Sequence, residues 1–66
     1  MSPKRFAVRL RTLRLKKNLT QAALAKKVGV TRGYLARLEM GRHDPPLSRL
    51  RTLAKALGVP LAELLG

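Results

Sequence analysis

The chain has 66 residues, 15 Lys and Arg against 3 Asp and Glu, a formal net charge of +12, and no Cys or Trp. A single domain of this size buries only about 60% of its unfolded surface, and 45% hydrophobic residues suit a small folded core better than disorder. The absence of Cys excludes a disulfide framework, Cys-ligated zinc and a thiol nucleophile, and suits a reducing cytosol. No apolar run nears the ~20 residues of a membrane span, and the charge calls for a polyanion, nucleic acid before an anionic membrane surface.

Gly and Pro fall almost entirely between periodic segments, Ile is absent, and Val occurs only at positions 8, 28, 30 and 59. Leu and Ala dominate, so strands are poorly supported. The expected fold is all-α, a compact five-helix bundle forming one domain over residues 1–66. The first helix is expected to start with Ser2 as N-cap and Pro3 at the first helical position. It should run to about Lys17, with Asn18 in the left-handed position. Phe6, Leu10 and Leu13 share one stripe. Val8 and Leu15 lie opposite, so this helix either packs on two faces or exposes apolar side chains.

Thr20 caps a second expected helix, Gln21 to Val28, stopped by Gly29. Thr31 caps a third, reaching about Met40 and stopped by Gly41. Leu19 with Leu24, and Val30 with Leu35, form a hydrophobic staple across each start. Pro45 and Pro46 precede a fourth helix, about Leu47 to Leu57, stopped by Gly58. A short fifth runs from Pro60 to Leu65, where Leu61, Leu64 and Leu65 are available for the core or for a dimer seam.

The stretch from Gln21 to Glu39 carries the functional signal. Ala25 stands where two crossing helices approach, and Gly29 stands where a tight turn needs positive φ. Leu24, Val28, Val30, Leu35 and Leu38 are expected to point inward. Two short helices joined by such a turn make a helix-turn-helix, whose second helix enters the DNA major groove. Any αα-hairpin can carry small residues and Gly here. The net charge tips the reading towards DNA.

These residues resemble the phage repressor and Cro type of helix-turn-helix domain over about Leu10 to Leu65. The resemblance rests on LTQ at 19–21, LA at 24–25, VGV at 28–30, LE-x-G at 38–41 and ALGV at 56–59. It implies a five-helix domain that binds double-stranded DNA and regulates transcription, in the cytoplasm of a bacterium or phage host if natural. Three positions depart from the family pattern. Asn18 replaces the usual Gly, Ala23 stands where an acid commonly completes the capping box, and Pro46 stands where a Ser often caps helix four.

Placing residues at ~100° intervals turns Gly33, Ala36, Arg37 and Met40 away from the core, with Arg32 and Tyr34 on opposite flanks. The resemblance implies base contacts from Arg32, Gly33 and Arg37. Arg can donate twice to guanine O6 and N7, and Ala36 can meet a thymine methyl. Gly33, lacking a side chain, suits a close backbone approach. For Arg32 and Arg37 the alternative is phosphate contact or solvated surface; for Tyr34, expected on phosphate, it is packing at the rim. Gln21 opens helix two, where free N–H groups and the helix dipole favour an anion. By resemblance its amide contacts phosphate and supports helix three. Thr31, Arg42, His43 and Arg11 are further phosphate candidates, while Lys26, Lys27 and Lys55 read as solvated surface. The resemblance also implies an ion pair between Arg14 and Glu39, tying helix one to helix three.

Neither a catalytic constellation nor a cofactor or metal set is legible: the acids are Glu39, Asp44 and Glu63, with one His. Neither a small-molecule substrate nor a membrane is an expected partner. Residues 4–17 have the basic amphipathic character of a membrane-surface or transit helix, but removing them would take Phe6, Leu10 and Leu13 from the core. A helix-turn-helix antitoxin or other protein-interaction module is the rival binding class. An engineered DNA-binding miniprotein on the same scaffold is the rival origin. With nothing after helix five, the free chain is expected to be a monomer, with a dimer on DNA as the alternative.

Overall fold

The computed structural model describes residues 3–66. Its helices are α1 (Pro3–Lys16), α2 (Gln21–Val28), α3 (Arg32–Glu39), α4 (Leu47–Leu57) and α5 (Leu61–Leu65), and no strand occurs among the described residues. The cap expected at Ser2 lies outside them. Where the boundaries differ from expectation, the end groups explain it. α1 stops at Lys16, α3 at Glu39 with Met40 as its C-cap, and α5 begins behind Pro60, which is extended and acts as N-cap.

Local chemistry sets each break. Asn18 takes φ 58°, a conformation that Asn tolerates better than most residues, and the Leu19 N–H then returns to the Arg14 carbonyl at 3.1 Å. Thr20 Oγ accepts from the Ala23 N–H, and Thr31 Oγ accepts from the Tyr34 N–H, each at 3.0 Å. These satisfy one orphan amide at each helix start. Between them Gly29 adopts φ 84°, and the Ala25 carbonyl accepts from both Gly29 and Val30. Pro46 caps α4 through its backbone alone: its carbonyl accepts from Arg49 and Leu50, and no side-chain bond forms.

One core joins all five helices. It contains Phe6, Leu10 and Leu13 from α1, Leu24, Ala25 and Val28 from α2, and Leu35 and Leu38 from α3. α4 adds Leu50, Leu53, Ala54 and Leu57, and α5 adds Leu64. Leu19, Val30 and Leu61 pack on it half-buried. Val30, expected to point inward, therefore covers the core rather than filling it. The choice left open for α1 resolves towards exposure, with Val8 63% and Leu15 53% accessible. In α5 the choice divides: Leu64 is fully buried and Leu65 is 37% exposed. α3 packs against both α1 and α2, while α5 closes the bundle against α1 and α4. The second helix of the hairpin is thus gripped from two sides, and its third side is free.

Candidate nucleic-acid interface

That free side carries the residues expected to read bases. Arg32, Gly33 and Arg37 are exposed, Ala36 is half-buried, and Met40 is exposed beyond them. Leu35 and Leu38 point the other way, fully buried. A Cβ built on Gly33 would meet nothing closer than Arg37 Nη1 at 3.8 Å and Thr31 Oγ1 at 4.0 Å. Gly33 is helical without positive φ, so the free protein does not require glycine here. The Arg37 guanidinium leans back over it.

Arg14 and Glu39 meet as the resemblance implied. Arg14 Nε–H donates to Glu39 Oε2 at 2.6 Å, and Nη2–H donates to Oε1 at 3.0 Å, a two-pronged fit of guanidinium to carboxylate. Their side chains are only 9% and 4% exposed. Arg14 Nη1–H donates further to the Leu19 carbonyl at 2.7 Å. That third contact explains why α1 must end as it does: the left-handed Asn18 presents Leu19 back to Arg14. Gln21 Nε2–H reaches Glu39 Oε1 at 3.3 Å, and Arg32 Nη1–H reaches Gln21 Oε1 at 3.4 Å. One polar chain therefore runs from α1 through the start of α2 to the exposed start of α3. Arg11 lines a cavity of about 250 Å³ with Arg14, Gln21, Ala36, Glu39 and Met40, which places it at the edge of the same face.

On the other flank Tyr34 is half-buried against the core, and charged groups gather around its ring. His43 stacks on it with centroids 5.8 Å apart and planes at 28°. Arg37 Cζ lies 6.0 Å from the ring centroid and Arg49 Cζ lies 5.3 Å from it. Arg37 Nε–H donates to His43 Nε2 at 3.1 Å. Thr31 and Arg42 are exposed at opposite ends of α3. Arg49 is the member that sequence reasoning passed over. Its signal was available: it precedes Leu50 on the α4 wheel, on the flank of the buried stripe and in the turn nearest the α3–α4 loop. A larger groove of about 530 Å³, lined by Lys4, Arg5, Val8, Arg9, Thr12, Leu65 and Gly66, contains none of these residues.

Residues 10–64 match the family model described as helix-turn-helix. The chain belongs to the helix-turn-helix family. Its kinship is with the phage repressor type. It is 40% identical over 58 residues to the immunity repressor protein of Bacillus phage phi105, covering 88% of this chain and 40% of that protein. The chain thus spans well under half of that relative, and about half (53%) of the transcriptional repressor RstR of the cryptic phage CTXphi of Vibrio cholerae. Among solved structures it is similar to the restriction-modification controller protein C.AhdI from Aeromonas hydrophila. That match has a TM-score of 0.91 and 37% identity, covering 94% of this chain and 90% of the other. The DNA-binding domain of the P22 C2 repressor superposes with a TM-score of 0.87 at 35% identity, covering 91% of this helix-turn-helix chain and 79% of that one.

Proposed function

We propose that this helix-turn-helix chain binds double-stranded DNA sequence-specifically, with α3 in the major groove, and thereby regulates transcription. The observation that carries this reading is the free side of α3. It sets Arg32, Gly33, Ala36 and Arg37 outward on a helix held by α1 and α2, and a major groove about 12 Å wide admits such a helix. Arg37 and Arg32 supply guanine donors, Ala36 an apolar contact, and Gly33 a close approach of backbone. Phosphates are met on either side. The opening turn of α2 at Gln21 offers amides, Thr31 its hydroxyl, Tyr34 its phenol, Arg42 and Arg11 their guanidinium groups, and His43 its Nδ1–H. The kinship with phage repressors and a restriction-modification controller supports a regulatory role; whether it represses or activates depends on where its site lies. No helix among the described residues is long and apolar enough to cross a membrane; a regulator of the bacterial or phage type that works on DNA would act in the cytoplasm. Catalysis, cofactors and small-molecule substrates have no part in this reading.

Selection from a random duplex library, read by sequencing, tests it. A single enriched motif is expected. Two half-sites about one helical turn apart would mean a dimer assembled on DNA, and one half-site a monomer. Arg37→Ala should then weaken the selected duplex by ~1–3 kcal/mol and leave a scrambled duplex nearly unchanged. Equal losses on both duplexes would make Arg37 a phosphate contact. Gly33→Ala separates fold from contact in a second way. The site has room for the methyl, and Ala favours a helix over Gly by about 1 kcal/mol. The variant should therefore unfold at slightly higher urea yet bind the selected duplex more weakly. Unchanged binding would remove the close backbone approach.

A further inference from the structure

We infer that His43 is a positioning residue for base reading, holding the Arg37 guanidinium against Tyr34 only while its own Nε2 is unprotonated. The inference deepens the DNA-binding reading and rests on it. The contact is directional: Arg37 Nε–H is the donor and His43 Nε2 the acceptor, at 3.1 Å. A lone pair must therefore stand on Nε2, with the imidazole proton on Nδ1. His43 is itself held by stacking on Tyr34, a ring anchored on the core. The support reaches Arg37 through two contacts, the hydrogen bond and the face of Tyr34.

The consequence for recognition lies in which atoms are used. With Nε engaged, the two terminal nitrogens of Arg37 remain, and these are the pair that fits guanine O6 and N7. Arg is a long side chain with large rotamer freedom, and fixing it beforehand lowers the cost of ordering it on the base. Gly33 leaves the space beside Nη1 open. The guanidinium is thus backed by His43 and Tyr34 before DNA arrives.

Protonation reverses this. A protonated His43 has no acceptor for Arg37 Nε–H, and it becomes a further cation in a basic cluster. From α3 it faces Arg37 and Tyr34, from α4 Arg49 through the shared ring, and along its own loop Arg42 and Asp44 are its neighbours. Asp44 is the one acid in that set. Loss of the hydrogen bond and added repulsion both loosen Arg37. The same added charge attracts phosphate, so non-specific affinity does not fall with it. Specific preference and bulk affinity move apart.

The test compares binding of the full chain to its selected duplex and to a scrambled one, at about pH 8 and about pH 5 and constant ionic strength. For the wild type the ratio of affinities should fall about tenfold on acidification, within the range of one bidentate base contact, while scrambled-duplex affinity stays level or rises. His43→Gln keeps an acceptor that does not titrate, so its ratio should stay high at both pH values. His43→Lys offers a donor and a fixed charge, so its ratio should be low at both. A wild-type ratio that ignores pH, a Gln variant that follows the wild-type slope, or a Lys variant with full preference would each overturn the inference. A readout in the free protein separates failure of the clasp from failure of DNA reading: the NMR signal of the Arg37 Nε–H proton should shift as His43 titrates. A signal indifferent to that titration rejects the clasp, whether or not DNA is bound. A coupled signal without any preferred duplex rejects base reading instead, and with it the role assigned to His43.

Discussion

Glu39→Gln is expected to destabilise the fold by about 3–5 kcal/mol, the cost of leaving one member of a buried ion pair uncompensated. The alternative scale, about 0–1 kcal/mol, belongs to exposed pairs. Burial decides between them: the two side chains retain 9% and 4% exposure, so water replaces little of what the substitution removes. Glutamine can still accept hydrogen bonds at that place, but the Arg14 charge stays enclosed. A chain of this length has a total stability of about 3–10 kcal/mol, so a single change could remove most of it.

Arg14→Met should cost as much for two reasons. It leaves the Glu39 carboxylate without its cation, and it leaves the Leu19 carbonyl, which Arg14 Nη1 also serves, without that donor. The double variant, Arg14→Met with Glu39→Gln, removes both charges and should lose much less than the sum of the two. Urea unfolding of all four proteins measures the difference, and additive losses would mean that the pair does not interact. The pair spans α1 and α3, and through Gln21 it extends to Arg32. Either single variant that remains folded should therefore also bind its duplex more weakly, because the orientation of α3 depends on this contact.

What could be read beforehand, and what could not, follows from the range of each interaction. Thr20, Gly29 and Thr31 act on amides and dihedrals within four residues, so their roles are written in adjacent letters, and the hairpin they delimit was legible. So was the outward face of α3, because Leu35 and Leu38 fix its wheel. The Arg14–Glu39 pair crosses 25 positions; periodicity places each partner near the helix junction but does not join them, and family resemblance supplied that step. The cluster at Tyr34 was out of reach. It depends on how the loop from Arg42 to Pro46 folds back and on side-chain rotation, neither of which a helical wheel contains. His43 was therefore legible as a phosphate candidate but not as a partner of Arg37, and Arg49 was legible by its place on the α4 wheel but not as a neighbour of the Tyr34 ring. On α1 the pattern left Val8 and Leu15 undecided, since apolar residues on a second face serve a small bundle equally well buried or bare.

The salt dependence of DNA binding should be steep, and its slope reports how much of the charge takes part. Each phosphate neutralised releases counterions and contributes about −0.9 to the slope of log K against log salt. Arg11, Arg42 and Arg49 border the free side of α3, and with them about five basic side chains are expected to neutralise phosphate. They predict a slope of roughly −4 to −5, or about a 500-fold loss of affinity between 50 and 200 mM salt. Were all 15 basic residues engaged, the slope would approach about −13. The fold argues against that, because a rigid bundle turns only one side towards the groove. Single substitutions divide the two cases. Arg42→Gln, beside α3, should reduce the slope by about 1, whereas Lys55→Gln, exposed in the last turn of α4, should leave it unchanged. Equal effects of the two would mean that the charge acts as a diffuse cloud and the proposed face has no special place. Tight binding independent of salt would exclude phosphate contact as its source, and comparable binding to anionic vesicles would return the chain to the membrane-surface class that its basic first helix resembles.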